Sequence, residues 1–332
     1  MSQPIHPSRH VGFDSLPIQI EKKLLKRGFQ FNLMVIGRSG LGKSTLINTL
    51  FASNLMQSSA RTSPEQPLPQ TMEIEPKSCL IEENNVRLEL TCIDTPGFGD
   101  VLDNEKCWDP IIKYIKDQHS TYLRSELTAK RPLFTPDTRV HACLYFIQPT
   151  GKGLRSLDIL VLRKLCEVVN VIPVIGKADA LTSDEKRALK TRIREELNFH
   201  RLRCYPYDLE THDEDDRKSN ALIRDMLPFA VVGSTKEYTV DGTTFLGRKT
   251  RWGTLNIEDP EHSEFIYLRD FLTRTHLQDL IDTTSQIHYE TFRCRQLNAL
   301  RQQNAGSSGR ESSMSGSVAH YDVHSSTVSV GY

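Results

Sequence analysis

The sequence has no excess of either charge: 42 lysines and arginines face 42 aspartates and glutamates. Zero formal net charge excludes a global pull toward nucleic acid or a membrane, so any such contact must come from a local patch. No nucleic-acid partner is expected. No apolar run is long enough to span a bilayer and no segment reads as a signal peptide, so a reducing cytosol is the expected compartment. The seven cysteines (Cys79, Cys92, Cys107, Cys143, Cys166, Cys204 and Cys294) form no C-x-x-C pair. That pattern argues against a zinc site or a disulfide framework. Most of them lie in apolar runs and read as reduced, buried thiols. No heptad pattern appears near the C-terminus, so no coiled coil is expected there. The 332 residues suffice for one large α/β domain with additions, or for two small domains.

The most informative stretch is Phe31 to Leu50, FNLMVIGRSGLGKSTLINTL. An apolar run ends at Gly37. Gly37-Arg38-Ser39-Gly40-Leu41-Gly42-Lys43-Ser44 then fits G-x-x-x-x-G-K-[ST], and Leu46, Ile47 and Leu50 follow at helical spacing. Strand, glycine-rich turn and helix together make a phosphate-binding loop. Glycine permits the dihedrals and the close approach by which successive N–H groups curl around a polyphosphate. Gly37, Ser39, Gly40, Leu41 and Gly42 supply that cradle. The helix starting near Lys43 points its positive end at the same anion. Lys43 would reach the β- and γ-phosphates, Ser44 would hold Mg²⁺, and Thr45 is next in line for a phosphate oxygen.

Residues 1 to about 15 are polar and read as a flexible extension. Leu16, Ile20 and Leu24 then stand four apart before Gly28, a helix stop, with Lys22, Lys23, Lys26 and Arg27 beside the stripe. This basic amphipathic helix either packs on the domain or meets anionic phospholipid headgroups. Residues 52 to 70 read as an exposed loop leading to Thr71. Val86 to Ile93 alternates as a strand and ends in Asp94-Thr-Pro-Gly97. Downstream of a phosphate loop, this is the second half of a phosphate–Mg²⁺ site. Asp94 would orient a water on the metal and the Gly97 N–H would touch the γ-phosphate. Helices are expected over Asp109 to Leu127, Leu154 to Val168 and Ser183 to Phe199. Buried strands are expected over Val140 to Ile147, Val171 to Ile175 and Phe229 to Val232. An acidic cluster, His212 to Arg217, suits the positive start of a further helix.

This alternation predicts a mostly parallel sheet with helices on both faces, a three-layer α/β fold. Gly37, Asp94, Gly176 and Gly233 all follow strand C-termini, where ligands bind in open α/β sheets. Tyr238 to Ile257 reads as two or three short strands with a hairpin turn at Asp241-Gly242. Glu264 to Leu300 reads as helical, and from Gln303 the Ser- and Gly-rich chain reads as disordered.

Lys177-x-Asp179 after a buried strand selects guanine. A carboxylate there accepts from N1–H and the exocyclic amine, whereas adenine would leave it buried and unpaired. The Lys177 stem would pack over the base plane. GRSGLGKST, DTPGFGD, GKAD, FAVVGS and GRKTRWG, in this order, resemble the septin family from about Leu16 to about Leu300. The absence of a coiled coil resembles the fungal subgroup that lacks one. The resemblance implies a P-loop GTPase domain over 30–302, with 236–302 as the septin-unique element and last helix. An extension, 1–29, and a tail, 303–332, flank it.

It further implies GTP or GDP with Mg²⁺, and Thr71 as the switch threonine closing on metal and γ-phosphate. Gly233 and Arg248 match positions at the guanine base. Trp252 and Lys152 match positions of the nucleotide-facing interface, where Lys152 stands in place of a common histidine. Arg38 and Lys249-Thr-Arg251 depart from the usual family residues. The implied partners are other septin subunits in hetero-oligomeric filaments, at the cell cortex, septum or bud neck. Hydrolysis is expected to be slow: Phe98 follows Gly97 where Ras-like enzymes carry a water-positioning glutamine, and Ser39 replaces a preferred glycine. The competing reading is a monomeric cytosolic GTPase switch. An ATP-dependent small-molecule kinase is disfavoured by Lys177-x-Asp179.

Overall fold

β1 (Phe29–Gly37) is the strand on which the sheet is built: every residue from Phe31 to Gly37 is buried, on both faces of the pleat. The computed structural model describes residues 9, 11–56, 73–97, 106–128, 135–207, 214–240, 242–250 and 253–311. Residues 216 and 303–311 are described by backbone alone. β1 pairs in parallel with β3 (Val86–Asp94) on one side and β4 (Ala142–Ile147) on the other. β5 (Val171–Ile175) and β6 (Phe229–Ala230) extend the parallel sheet, and β2 (Glu75–Glu83) closes the far edge antiparallel to β3. The order is β2-β3-β1-β4-β5-β6. β4 and β5 are buried at every residue, so both faces of the sheet are covered, as the apolar runs predict.

The helices between strands are α2 (Lys43–Leu50), α3 (Asp109–Leu127), α4 (Ser156–Leu165), α5 (Ser183–Phe199) and α6 (Glu214–Met226). α3 buries Ile111, Ile115, His119 and Leu123, one stripe at four-residue spacing. α5 opens with a capping box in which Thr182 and Glu185 bond each other's backbone N–H. A second sheet, β7 (Lys236–Val240), β8 (Thr243–Thr250) and β9 (Gly253–Asn256), is an antiparallel meander whose first hairpin pairs Val240 with Thr243. Then come α7 (Phe265–Asp270), a π segment at Phe271–Thr275, α8 (Leu277–Thr283) and a second π segment at Thr284–Tyr289.

Several expectations change. β2 is a strand that the sequence reading passed over, and the Asn84-Asn85 turn before β3 has positive φ at both residues. β6 is shorter than Phe229 to Val232: the Val232 N–H leaves the ladder and donates to the Ser263 hydroxyl. Met56 is buried rather than exposed, and both its backbone groups bond the Asn48 side chain. Of the seven free cysteines only Cys92 and Cys143 are buried, because Cys79 lies on the edge strand and Cys294 on the last helix. The first compact unit ends at Tyr289. α9 (Glu290–Glu311) continues through 303, one intrahelical bond per added residue, and none of residues 290–302 is buried.

α1 (Leu16–Arg27) forms and stops at Gly28, as its spacing predicts. It buries no residue: Leu16, Ile18, Ile20 and Leu24 are 47%, 54%, 58% and 41% exposed. Packing of this stripe on the described residues of the domain is therefore not what the helix does.

At the opposite end of β4 and β5 from the strand C-termini, the core is polar. The Asn170 amide donates to the His141 and Leu280 carbonyls, and Thr284 Oγ1 donates to the same His141 oxygen. Arg139 pairs with Asp137 and lies over the rings of Tyr122 and Tyr289. Burial pushes His288 down to about 4. Burial, helped by the Arg139 charge, does the same to His119. An unfolded imidazole titrates near about 6.5, so between those values the unfolded chain binds protons that the folded one refuses. Stability is full above about pH 6.5 and falls toward pH 4, by up to about 1.4 kcal/mol per pH unit for each histidine. Urea unfolding between about pH 7 and pH 5 should show that decline. The His119→Gln, His288→Gln double variant should show a shallower one, and equal slopes would assign the protons to other groups.

Candidate nucleotide-binding site

β1 hands the chain to α2 through a loop that only glycine fits at several points. Gly40 and Gly42 have φ of 76° and 88°, in the left-handed region. A Cβ on Gly37 would lie 2.7 Å from Phe146 Cβ on β4. α2 begins at Lys43, so its first-turn N–H groups open onto the loop. Lys43 is buried, and its Nζ donates to the Gly37 and Arg38 carbonyls at 3.0 Å each. Ser44 Oγ donates to Asp94 Oδ2 at 3.4 Å.

Asp94 ends β3 directly beside Val35 of β1. Burial raises its carboxyl above the usual value, against the lowering pull of Lys43. Thr95 fixes the turn: its N–H donates to Asp94 Oδ1 at 3.0 Å and its hydroxyl to the Val35 carbonyl at 2.9 Å. Gly97 is then seated on the phosphate loop, where a Cβ would meet Ser39 N at 2.6 Å.

The third and fourth strand ends reach the same place. The Gly176 N–H donates to the Ile147 carbonyl, and a Cβ on Gly176 would lie 2.9 Å from the Leu41 carbonyl oxygen. Lys177 is exposed with φ of 52°. The Ala178 N–H donates to Val231 O, turning Asp179 inward until its side chain is 10% exposed. Arg248 Nη1 lies 3.1 Å and 3.0 Å from the two Asp179 oxygens. Gly233 packs on α2, with room for a Cβ only 2.9 Å from Leu46 Cα. A cavity of about 630 Å³ opens beside Asp179 and Arg248, walled by Leu181, Lys186, Lys249 and Leu255. Its volume is that of a small-molecule site.

Gly37 through Thr45, Asp94, Gly97, Lys177, Asp179, Gly233 and Arg248 are thus gathered around one loop. Lys152 is exposed in the connection after β4. Thr71 and Trp252 lie outside the described residues. Sequence reasoning missed Thr95, although a threonine after the strand-ending aspartate was its signal. It also missed Ser263 and Glu264, which complete β6. The Ala230 N–H donates to Glu264 Oε2 at 2.7 Å, and Lys190 pairs with the same carboxylate. Nothing local in the sequence joins residues so far apart. The donor set fits a polyphosphate: a cradle that methyl groups would fill, a buried lysine and a helix N-terminus. Ser44 beside Asp94 fits a hard cation bound through oxygen.

A family model described as Septin matches residues 27–306. The chain belongs to the septin family. It is 54% identical over 308 residues to Cell division control protein 10 of Candida albicans, covering 93% of this chain and 86% of that protein. It is 55% identical over 298 residues to Septin homolog spn2 of Schizosaccharomyces pombe, covering 90% of each. The crystal structure of Cdc11 from Saccharomyces cerevisiae superposes with a TM-score of 0.52 at 30% identity, over 80% of this chain and 99% of that one. As a septin, the chain is a guanine-nucleotide-binding cytoskeletal subunit of a family that forms hetero-oligomers.

Base choice should rest on Asp179. Asp179→Asn should weaken guanine nucleotide binding and favour xanthine, whose C2 carbonyl prefers an amide donor. Competition binding decides it, and equal GTP affinity in variant and parent would remove Asp179 from base recognition.

Proposed function

We propose that this septin binds GTP or GDP with Mg²⁺ mainly as a structural part of its nucleotide-facing interface, within filaments at the division site. The observation that carries the reading is the convergence of four strand ends on one phosphate loop, with Asp179 and Arg248 at its outer side. Lys43 and the loop N–H groups would hold the phosphates. Ser44 and Thr71 would hold the metal, with Asp94 acting through a water. The bound metal neutralises charge on the phosphate oxygens. Hydrolysis is slow on this reading, since neither Phe98 nor Ser39 is suited to placing an attacking water. Trp252, Arg248 and Lys152 meet the neighbouring subunit on this reading, because they match septin positions beside that interface; a large aromatic and an arginine also suit interface anchors. The names of the Candida and budding-yeast relatives, cell division control proteins, support a role in division.

Turnover and assembly should separate. Thr71→Ala should abolish single-turnover hydrolysis and leave nucleotide binding largely intact. Trp252→Ala should leave the subunit folded and shift light scattering toward smaller species. An unchanged rate in the first, or unchanged assembly in the second, would overturn the corresponding role.

α1 is assigned to anionic phospholipid. Lys22, Lys23, Lys26 and Arg27 are all exposed beside the exposed apolar stripe, which is the composition of an interfacial helix. Replacing the four by glutamine should reduce co-sedimentation with anionic liposomes. It should also flatten the salt dependence, because such attraction is screened within about 10 Å at 0.1 M salt. Undiminished binding would make the helix a subunit contact instead.

A further inference from the structure

The connection from β4 to α4, Gln148 to Arg155, is exposed at Gly151 and Lys152, yet it is tied down on both sides of them. Before them, the Arg38 guanidinium of the phosphate loop lies 3.5 Å from Gln148 Oε1. At Gly151, the carbonyl accepts from Arg192 of α5 at 3.0 Å. After them, the Leu154 N–H donates to the Glu196 carboxylate at 2.6 Å, and Leu154 itself is buried. Gly151 and Gly153 have φ of 70° and 83°. A Cβ on Gly153 would strike the Glu196 carboxylate. Three charged side chains therefore hold the loop, and the one set against its left-handed Gly153 and Leu154 is Glu196, from a helix that starts beside Asp179. An exposed lysine on a loop held this way is presented in one geometry, so ordering it adds little cost on binding.

We propose that Glu196 is a positioning residue for the nucleotide-facing interface, holding the Gln148–Arg155 loop so that Lys152 meets an acidic group of the neighbouring septin subunit. This rests on the interface reading of Lys152 given above. A carboxylate acts here through geometry. It accepts the Leu154 N–H, keeps the left-handed Gly153 in register and leaves the Lys152 ammonium clear of α5. A charge-assisted bond to a backbone N–H is among the stronger neutral-to-ion contacts available to a loop.

The test uses the full chain, tagged and isolated with its co-purifying septin subunits, with partner release followed during salt washing. Lys152→Ala and Glu196→Ala should each speed release roughly fivefold, the effect expected of one interface residue. Glu196→Gln, which keeps an acceptor, should restore much of the loss. Gly153→Ala, which leaves Glu196 in place but displaces its carboxylate, should reproduce the Glu196→Ala effect. The Lys152→Ala, Glu196→Ala double variant should be no worse than either single one. The melting temperature of the isolated subunit should match the parent for the Glu196→Gln and Lys152→Ala proteins. Unchanged release for Lys152→Ala would overturn the interface reading and the proposal with it. Altered release for Lys152→Ala with parental release for Glu196→Ala, or fully additive effects in the double variant, would overturn the positioning role alone.

Discussion

Four glycines bring backbone against backbone, and the nucleotide site depends on that contact. Gly37 meets Phe146, Gly97 meets Ser39, Gly176 meets Leu41 and Gly233 meets Leu46, each at a distance that excludes a methyl group. The neighbours are mostly main-chain atoms or β-carbons, which cannot swing aside as a side-chain tip would. The ends of β1, β3 and β5 and the segment after β6 are therefore held by a ring of such glycine contacts to β4, the phosphate loop and α2. Interiors at this density transmit displacement rather than absorb it. A change in any one strand end must move the phosphate loop or be resisted by it. Gly153 is the contrast: its neighbour is the mobile end of Glu196, and there a side chain rather than the backbone sets the geometry.

The other end of the sheet solves a different problem. Asn32, His141 and Asn170 are buried polar residues there, beside the buried Arg139, Thr284 and His288. Specific partners hold them in place: the Asn32 amide donates to the Asp137 and Arg139 carbonyls, the Asn32 N–H donates to His141 Nδ1, and the Asn170 amide donates to the His141 carbonyl. Burying such groups unpaired costs a few kcal/mol apiece, so the network admits few alternative packings. The second π segment supplies Thr284 and His288 to it. Burial drives the His119 and His288 imidazoles to the neutral form, which makes this end, rather than the glycine ring, the acid-sensitive one.

Much of this was legible because the signals were local. The phosphate loop, Asp94 at a strand end and Asp179 after another each carry a motif whose spacing is short. α3 and α5 begin and end where their spacing places them, and a capping box fixes the start of α5. β2 was harder to see, because an edge strand with Pro76 and two polar ends has no continuous apolar run to announce it. Its turn did carry a signal, since asparagine tolerates positive φ better than most residues. Ser263 and Glu264 could not be read at all. They replace a missing strand neighbour with side-chain oxygens, a pairing set by three-dimensional closure. The exposure of α1 was equally hidden: an amphipathic stripe predicts a helix with an apolar face, but not that none of its residues is buried among the described residues.

Arg248 gives the two sheets a common point. It belongs to β8, the middle strand of the meander, and it pairs with Asp179 beyond β5 of the main sheet. Ser234 makes a second tie, accepting from Thr49 of α2 at its carbonyl and donating to the Gly247 carbonyl of β8. A guanine base recognised by Asp179 and Arg248 would lie across this join. A ligand that binds only the joined form stabilises it by about 2.7 kcal/mol at a hundredfold excess over its dissociation constant. That gain requires no hydrolysis. Linkage also makes the effect mutual: if bound nucleotide favours the shape of the meander that a neighbouring subunit meets, the neighbour tightens the nucleotide by the same factor. On the proposed reading, slow turnover is then a consequence of the architecture. A nucleotide clamped by assembly serves the filament as long as it stays, and side chains such as Phe98 that cannot activate water by their chemistry keep it there.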